Sequence, residues 1–462
     1  MKIKKFFNDN LDSMIHDLDR LVSVASVGTD AKNIQIDGRL CEAPYGEEAL
    51  KALREVSLLA CENGFNTNIF HNRMTEIDLF SDGEPDLVIL AHADVVPAGN
   101  GWTYEPFRAT LDGDKIYGRG TIDNKGPIIA ALYAMKYIKE NVPDFNLKVR
   151  LLVGSDEERG SSDLAYYRQR RNLAKYVFTP DANYPVINTE KGRSTGSFVR
   201  KIVSSSVVRA NGGTVINAVP DRAYATIRGY TAAALNKVAT QCTANVRFEF
   251  TENGNETDVC VYGAGAHASL PEGGENAITA LFQFLALLDP AWSCVTNVSP
   301  HGDIYGNALG INCQDDISGK LTYAFDIFEY DGENFKGMFD IRYPVCMPDT
   351  KLESILRQSF SQNGFDMIDY SSSKPHHTDA DSKLVRTLLS VYEKVTGNKG
   401  QALAVGGGTY AHGIPGAVAF GPEMPGEDNH MHAENEFISV DNLKLTGEMM
   451  CRAMIKLNNN LL

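Results

Sequence analysis

The sequence predicts an α/β domain, a mixed sheet covered by helices on both faces, interrupted by an inserted α+β domain. Three observations carry this. Strand-like apolar runs alternate with helically spaced runs through residue 187. Strands and hairpins with turn residues between them then take over. The helix–strand rhythm returns after residue 375, and such a rhythm implies a sheet with helices on its faces.

Leu11, Met14, Ile15, Leu18, Leu21 and Val22 recur at helical spacing, as do Ala49, Leu50, Leu53, Val56 and Ala60. Gly64 stands where a helix C-cap belongs. Next come a strand at Leu87–Ala91, a helix from Gly126 to Glu140 and a strand at Lys148–Val153. A helix at Ser161–Arg171 and a strand at Tyr176–Phe178 follow. SSSVVRANGG, NAVPDRAYATIRGY and VRFEFTENGNETDVCVYG form the hairpin-rich middle. After Thr378 the spacing predicts a helix to Val395 with Gly397 behind it, a strand at Ala417–Phe420 and a helix over Asp441–Leu457. Three consecutive domains would fit this order. One domain over 1–187 and 376–462, with an insertion at 188–375, fits better because the candidate functional residues lie on both sides of the middle part.

Composition narrows the function. The 462 residues are 43% hydrophobic, ordinary for a globular chain. No run approaches the roughly 18 apolar residues of a membrane span, and MKIKKFFNDNLDSMI lacks the apolar core of a signal peptide. The eight cysteines are scattered, with no C-x-x-C pair. A reducing, cytoplasmic setting is expected, and a thiolate metal site is not. A net charge of −15 disfavours nucleic acid and anionic membranes as partners.

The chemistry gathers at strand ends. In LVILAHADVVPAG a buried run stops at His92, and Asp94 shares its face if the chain stays extended. Open α/β sheets bind ligands beyond the carboxyl ends of their strands. The run KVRLLVGS likewise ends in Asp156, Glu157 and Glu158, YVFT ends in Pro180 and Asp181, and IYGRGTIDNKG carries Asp123 into a helix. Carboxylates converging at one edge raise each other's pKa and resist joint ionisation. Divalent cations relieve this, and a mixture of His and carboxylate suits zinc or manganese better than calcium. A solvated acidic rim is the plainer alternative.

HADVVP at 92–97, GRGTIDNKGP at 118–127, DEERG at 156–160 and HAENEF at 432–437 together resemble the co-catalytic metallopeptidase family of aminoacylase-1, the glutamate carboxypeptidases and the carnosinases. GGGTYAHGIPGAVAFGP at 406–422 and the long insertion look most like its bacterial Xaa-His dipeptidase branch. Ala91 departs from the glycine that many members carry before the first histidine. The resemblance implies two metal ions, with His92 and Asp181 on one, Glu158 and His432 on the other, and Asp123 bridging both. It implies that Asp94 takes a hydrogen bond from the far nitrogen of His92, and that Glu157 is the general base for a metal-activated bridging water. An extended segment would turn Glu157 and Glu158 to opposite sides. His430 is expected to be a bystander.

The inserted part is expected to act as a lid. GAHASLPEGGENA at 265–277 implies His267 as the donor to the carbonyl oxygen, and Asn217, Arg342, Gly407 and Gly408 sit in further familiar segments that would bind substrate. Arg342 could hold a carboxylate through its planar fork. A monomer is expected, because the enlarged insertion of this branch supplies the histidine within one chain. The activity implied is a metal-dependent dipeptidase acting on unblocked dipeptides. The alternatives are an N-acyl amino acid deacylase or related amidohydrolase, and a non-catalytic binding protein on the same fold.

Overall fold

The computed structural model describes residues 2–36, 38–80 and 83–461. The chain divides into two compact units. The first comprises Met1–Asn188, His377–Leu403 and Gly408–Leu462, and the second comprises Thr189–His376 with Ala404–Gly407.

The first unit is built on a mixed sheet. From one edge its strands run Asn66–Phe70, Met74–Asp78, Val149–Gly154, Leu87–His92, Tyr176–Thr179, Val418–Ala419 and Val186–Glu190. The four central strands are parallel, with His92 in register with Gly154 and Leu87 with Tyr176. Their carboxyl ends therefore open at one edge of the unit. Strand alternation explains why Leu87–His92 is apolar throughout. Leu87, Ile89 and Ala91 enter one core, and Val88 and Leu90 enter the other. Six helices contribute to the core on the first face: Lys2–Asp9, Leu11–Val22, Glu47–Glu62, Lys125–Asn141, Lys383–Thr396 and Val440–Leu461. Ser162–Arg168 and the 410–417 segment cover the second. Lys383–Thr396 starts later than the spacing predicts, because Ser382 caps it by accepting from the Val385 N–H. It ends at Gly397, whose φ of 75° is the left-handed turn expected there.

The second unit is an antiparallel eight-stranded sheet, in the order 247–253, 256–262, 222–228, 207–212, 322–330, 334–343, 192–201 and 366–373. The helices Ala277–Leu288 and Asp349–Gln362 pack on it through an aromatic core of Phe198, Phe282, Phe325, Phe339 and Phe360. Among the described residues no helix is long and apolar enough to cross a membrane.

Candidate metal centre

Two loops and three strand ends of the first unit bring six expected side chains together. His92 ends its strand fully buried. Its Nε2 lies 3.0 Å from Asp123 Oδ1 and 3.5 Å from Asp181 Oδ1. That nitrogen nonetheless makes no hydrogen bond, because the approach to the carboxylates is not along an N–H direction. On the other side of the ring, Nδ1 is 3.1 Å from the Asp94 carbonyl and 3.5 Å from the Asp94 carboxylate. The ring is thus tied to Asp94 mainly through its backbone, while Asp94 Oδ2 accepts the Glu158 N–H at 3.1 Å. Asp94 links one expected ligand to another.

Asp123 faces both ways. Its Oδ1 points at His92, and its Oδ2 is 2.9 Å from His432 Nε2. His432 Nε2 also lies 3.2 Å from Glu158 Oε1. Two groups result, His92–Asp123–Asp181 and Asp123–Glu158–His432, each with its ligand atoms within 4.8 Å of one another. Asn124, joined to Asp123 by a cis peptide bond, donates from Nδ2 to the Pro180 carbonyl at 2.5 Å and steadies the Asp181 segment.

The electrostatics are those of crowded acids. Burial and the neighbouring carboxylates push Asp181 up to about 7. Burial, followed by the charge of Asp181, raises Glu157 well above the usual carboxylate range. Asp123 is held low by His432 and His92 against the cost of burial. His432 is raised to about 11 by Asp123 and Glu158, which outweigh its desolvation. A mixed imidazole and carboxylate set with an orphaned buried Nε2 fits a pair of divalent cations.

One local expectation fails. Glu157 and Glu158 are not extended but open a 3₁₀ turn, Glu157–Arg159, closed by the Gly160 N–H on the Glu157 carbonyl. The chain has left the sheet at Gly154, and Asp156 accepts from Ser162 and draws it into the next helix. Three residues per turn still set adjacent side chains about 120° apart, so the two glutamates diverge. His430 turns away, with Nδ1 3.1 Å from the Glu434 carbonyl and its ring against Phe437.

The remaining expected residues belong to the second unit or its boundary. His267 is exposed, and its Nδ1 accepts the Ser269 N–H at 3.1 Å, with Ser269 Oγ at 2.7 Å. An accepting Nδ1 leaves the proton on Nε2. Asn217 adopts a φ of 87° and donates its N–H to Asp326. Arg342 is buried, and the edge of its fork is occupied: Nε and Nη2 donate to Asp340 at 2.6 and 3.2 Å. Its Nη1 donates to the Gly406 carbonyl at 2.6 Å. Gly406 has to be glycine, since a Cβ there would meet Ser269 Cβ at 2.6 Å. Gly407 and Gly408 mark the return of the chain to the first unit.

Sequence reasoning missed the pairing of Arg119 with Glu436, a buried ion pair with Nη1 and Oε2 2.5 Å apart. The available signal was an Arg and a Glu inside two of the four motifs, with no periodicity to connect positions 317 apart.

The model of peptidase family M20/M25/M40 matches residues 88–456. The putative dipeptidase YtjP of Bacillus subtilis is 34% identical over 429 residues, covering 90% of this chain and 92% of that protein. The Beta-Ala-Xaa dipeptidase of Lactobacillus delbrueckii subsp. lactis is 31% identical, covering 100% and 99%. Human carnosine dipeptidase 1 has the same fold, with a TM-score of 0.58 at 14% identity over 99% of this chain and 98% of that one. A match of this extent, with the motifs gathered at one sheet edge, identifies the chain as a member of peptidase family M20/M25/M40.

Proposed function

We propose that this chain is a dipeptidase that hydrolyses unblocked dipeptides with two divalent cations, zinc or manganese. The observation that carries the reading is the buried His92 Nε2, without a hydrogen bond, between the carboxylates of Asp123 and Asp181. His92, Asp123 and Asp181 would hold one cation, and Asp123, Glu158 and His432 the other. Such a pair supplies polarisation of the scissile carbonyl and acidifies the attacking water. The names of the two relatives, both dipeptidases, support the substrate class.

The chain's own groups do the rest. Glu157 is half-buried and raised, so it is a stronger proton acceptor than a solvated carboxylate. It takes the proton of the attacking water and returns it to the leaving nitrogen, which departs as an amine. Asp94 orients His92 and holds the Glu158 backbone. His267, with its proton on Nε2, is suited to donate to the carbonyl oxygen as negative charge grows there. Asn217, Arg342, Gly407 and Gly408 complete the substrate-facing set, with the second unit acting as a lid. The two free donors of Arg342 outside the Asp340 clamp remain to face a substrate carboxylate. A cytoplasmic monomer fits the scattered cysteines and the long insertion.

The test is an assay of Ala-Ala, β-Ala-His and N-acetyl-Met side by side, with zinc or manganese added to chelator-treated protein. Turnover of the two unblocked dipeptides alone is expected. Preferential cleavage of N-acetyl-Met would replace the dipeptidase reading by a deacylase.

A further inference from the structure

The Arg119–Glu436 pair has no part in the chemistry above, yet it ties together three of the segments that carry it. Glu436 is fully buried. Its Oε1 collects three backbone N–H groups, from Gly120 at 2.9 Å, Ile122 at 3.1 Å and Asp123 at 3.3 Å. Its Oε2 takes Arg119 Nη1, and its carbonyl takes the Gly118 N–H at 2.9 Å. Arg119 Nη2 donates to the Ala433 carbonyl at 3.1 Å and lies 3.5 Å from the carbonyls of Pro97 and Ala98. The pair thus binds the 92–98, 118–123 and 432–436 segments into one knot.

Successive amides converging on one oxygen form a cradle that fixes the direction of the loop. Here the loop delivers Asp123, the residue common to both ligand groups. The anion in the cradle comes from the segment that delivers His432. A buried carboxylate without such donors would be costly, so cradle and anion hold each other in place. Neither side chain is a member of the ligand groups.

We infer that Glu436 and Arg119 are positioning residues that preorganise Asp123 and His432, so that both cation sites strengthen or fail together. The inference rests on the two-cation reading and concerns affinity rather than chemistry. Partners that orient metal ligands are worth about ten- to hundred-fold in affinity when mutated.

The experiment is calorimetric titration of chelator-treated protein with zinc, alongside the thermal melt of the metal-free form. The native chain takes two ions, and His432→Ala loses one. Glu436→Gln keeps the size of the side chain and an acceptor for the amides. It should bind both ions about ten- to hundred-fold more weakly, and because it leaves Arg119 buried beside a neutral partner it should also lower the metal-free melt. Native affinity at either site in folded Glu436→Gln overturns the inference. So does a lowered melt with unchanged dissociation constants, which is the signature of packing alone. If Glu436→Gln fails to fold, Arg119→Lys keeps the charge but loses the fork. It should weaken both sites several-fold, and unchanged binding would overturn the inference equally. If His432→Ala keeps both ions, the two-cation reading falls and takes the inference with it, a failure distinct from the others.

Discussion

Each unit of this protein buries a polar cluster, and the two differ in charge balance. In the second unit, Asp340 is fully buried and held by Arg342 and by Arg193 Nε at 2.8 Å. Asp340 thus finds its countercharge within the protein. In the first unit, Asp123, Glu157, Glu158 and Asp181 meet two imidazoles; burial first and neighbouring carboxylates second force Glu157, Glu158 and Asp181 upward, while the imidazoles hold Asp123 low. A balanced cluster is complete as it stands and shapes the fold. An unbalanced one requires positive charge from elsewhere, and that need distinguishes a reaction centre from a structural clamp.

The largest effect should come from the group in the unbalanced cluster that is not an expected ligand. Glu157→Ala should lower kcat by about 10²–10⁴-fold, the usual contribution of general base catalysis. Metal content by elemental analysis should stay at the native level. Loss of metal together with turnover would make Glu157 a ligand and dissolve its separate role.

Removing one carboxylate from each cluster should move stability in opposite directions. Asp340→Asn leaves Arg342 buried beside a neutral partner, at a cost of about 3–5 kcal/mol in urea unfolding. Asp181→Asn should stabilise the metal-free protein at pH 8. The folded pKa of Asp181 is about 7, above the ordinary aspartate value of 3.8. Its contribution is therefore fully present at low pH and is lost as pH rises through about 7. The variant escapes that loss, so its advantage should be absent below pH 4, grow between about pH 4 and 7, and be complete above pH 7. Equal destabilisation by both variants would erase the contrast between the clusters.

The same imbalance predicts a proton count. In the metal-free chain His432 is raised to about 11 and is protonated at neutral pH. It has to be neutral to ligate, so cation binding expels its proton and affinity rises with pH, about tenfold per pH unit for each proton displaced. Titrations of the native chain in buffers of different ionisation enthalpy should show this release, and His432→Ala should show one proton fewer.

The convergence of His92, Glu158 and Asp181 was legible in the sequence because it follows from topology. Parallel strands joined by helices deliver their carboxyl ends to one edge, and each end carries its own polar residues. The predicted helix Gly126–Glu140 is observed as Lys125–Asn141, since its apolar faces are local information. What local pattern could not carry was partnership at a distance. Nothing near Arg342 announces that Asp340, two residues away on the same strand face, occupies its fork. Ala404–Gly407 reads as part of the returning α/β segment, yet it clusters with the second unit. The Lys191 N–H on the Val405 carbonyl and the Arg342 contact to Gly406 hold it there. The 3₁₀ turn at Glu157 was hidden because Asp156 is drawn toward Ser162, a side-chain bond that periodicity does not register.

The smallest predicted effect sharpens the contrast from the balanced side. Arg193 is 40% exposed at its side chain, and it gives Asp340 one charged hydrogen bond beside the two from Arg342. Arg193→Ala should therefore cost only about 1 kcal/mol, less than a buried charged hydrogen bond, because water can replace an exposed guanidinium. Asp340 would stay clamped by Arg342, and zinc affinity in the first unit should be unchanged. A loss comparable to that of Asp340→Asn would mean that both arginines are needed to neutralise one aspartate. The second cluster would then be as finely poised as the first, and charge balance alone would not tell a clamp from a reaction centre.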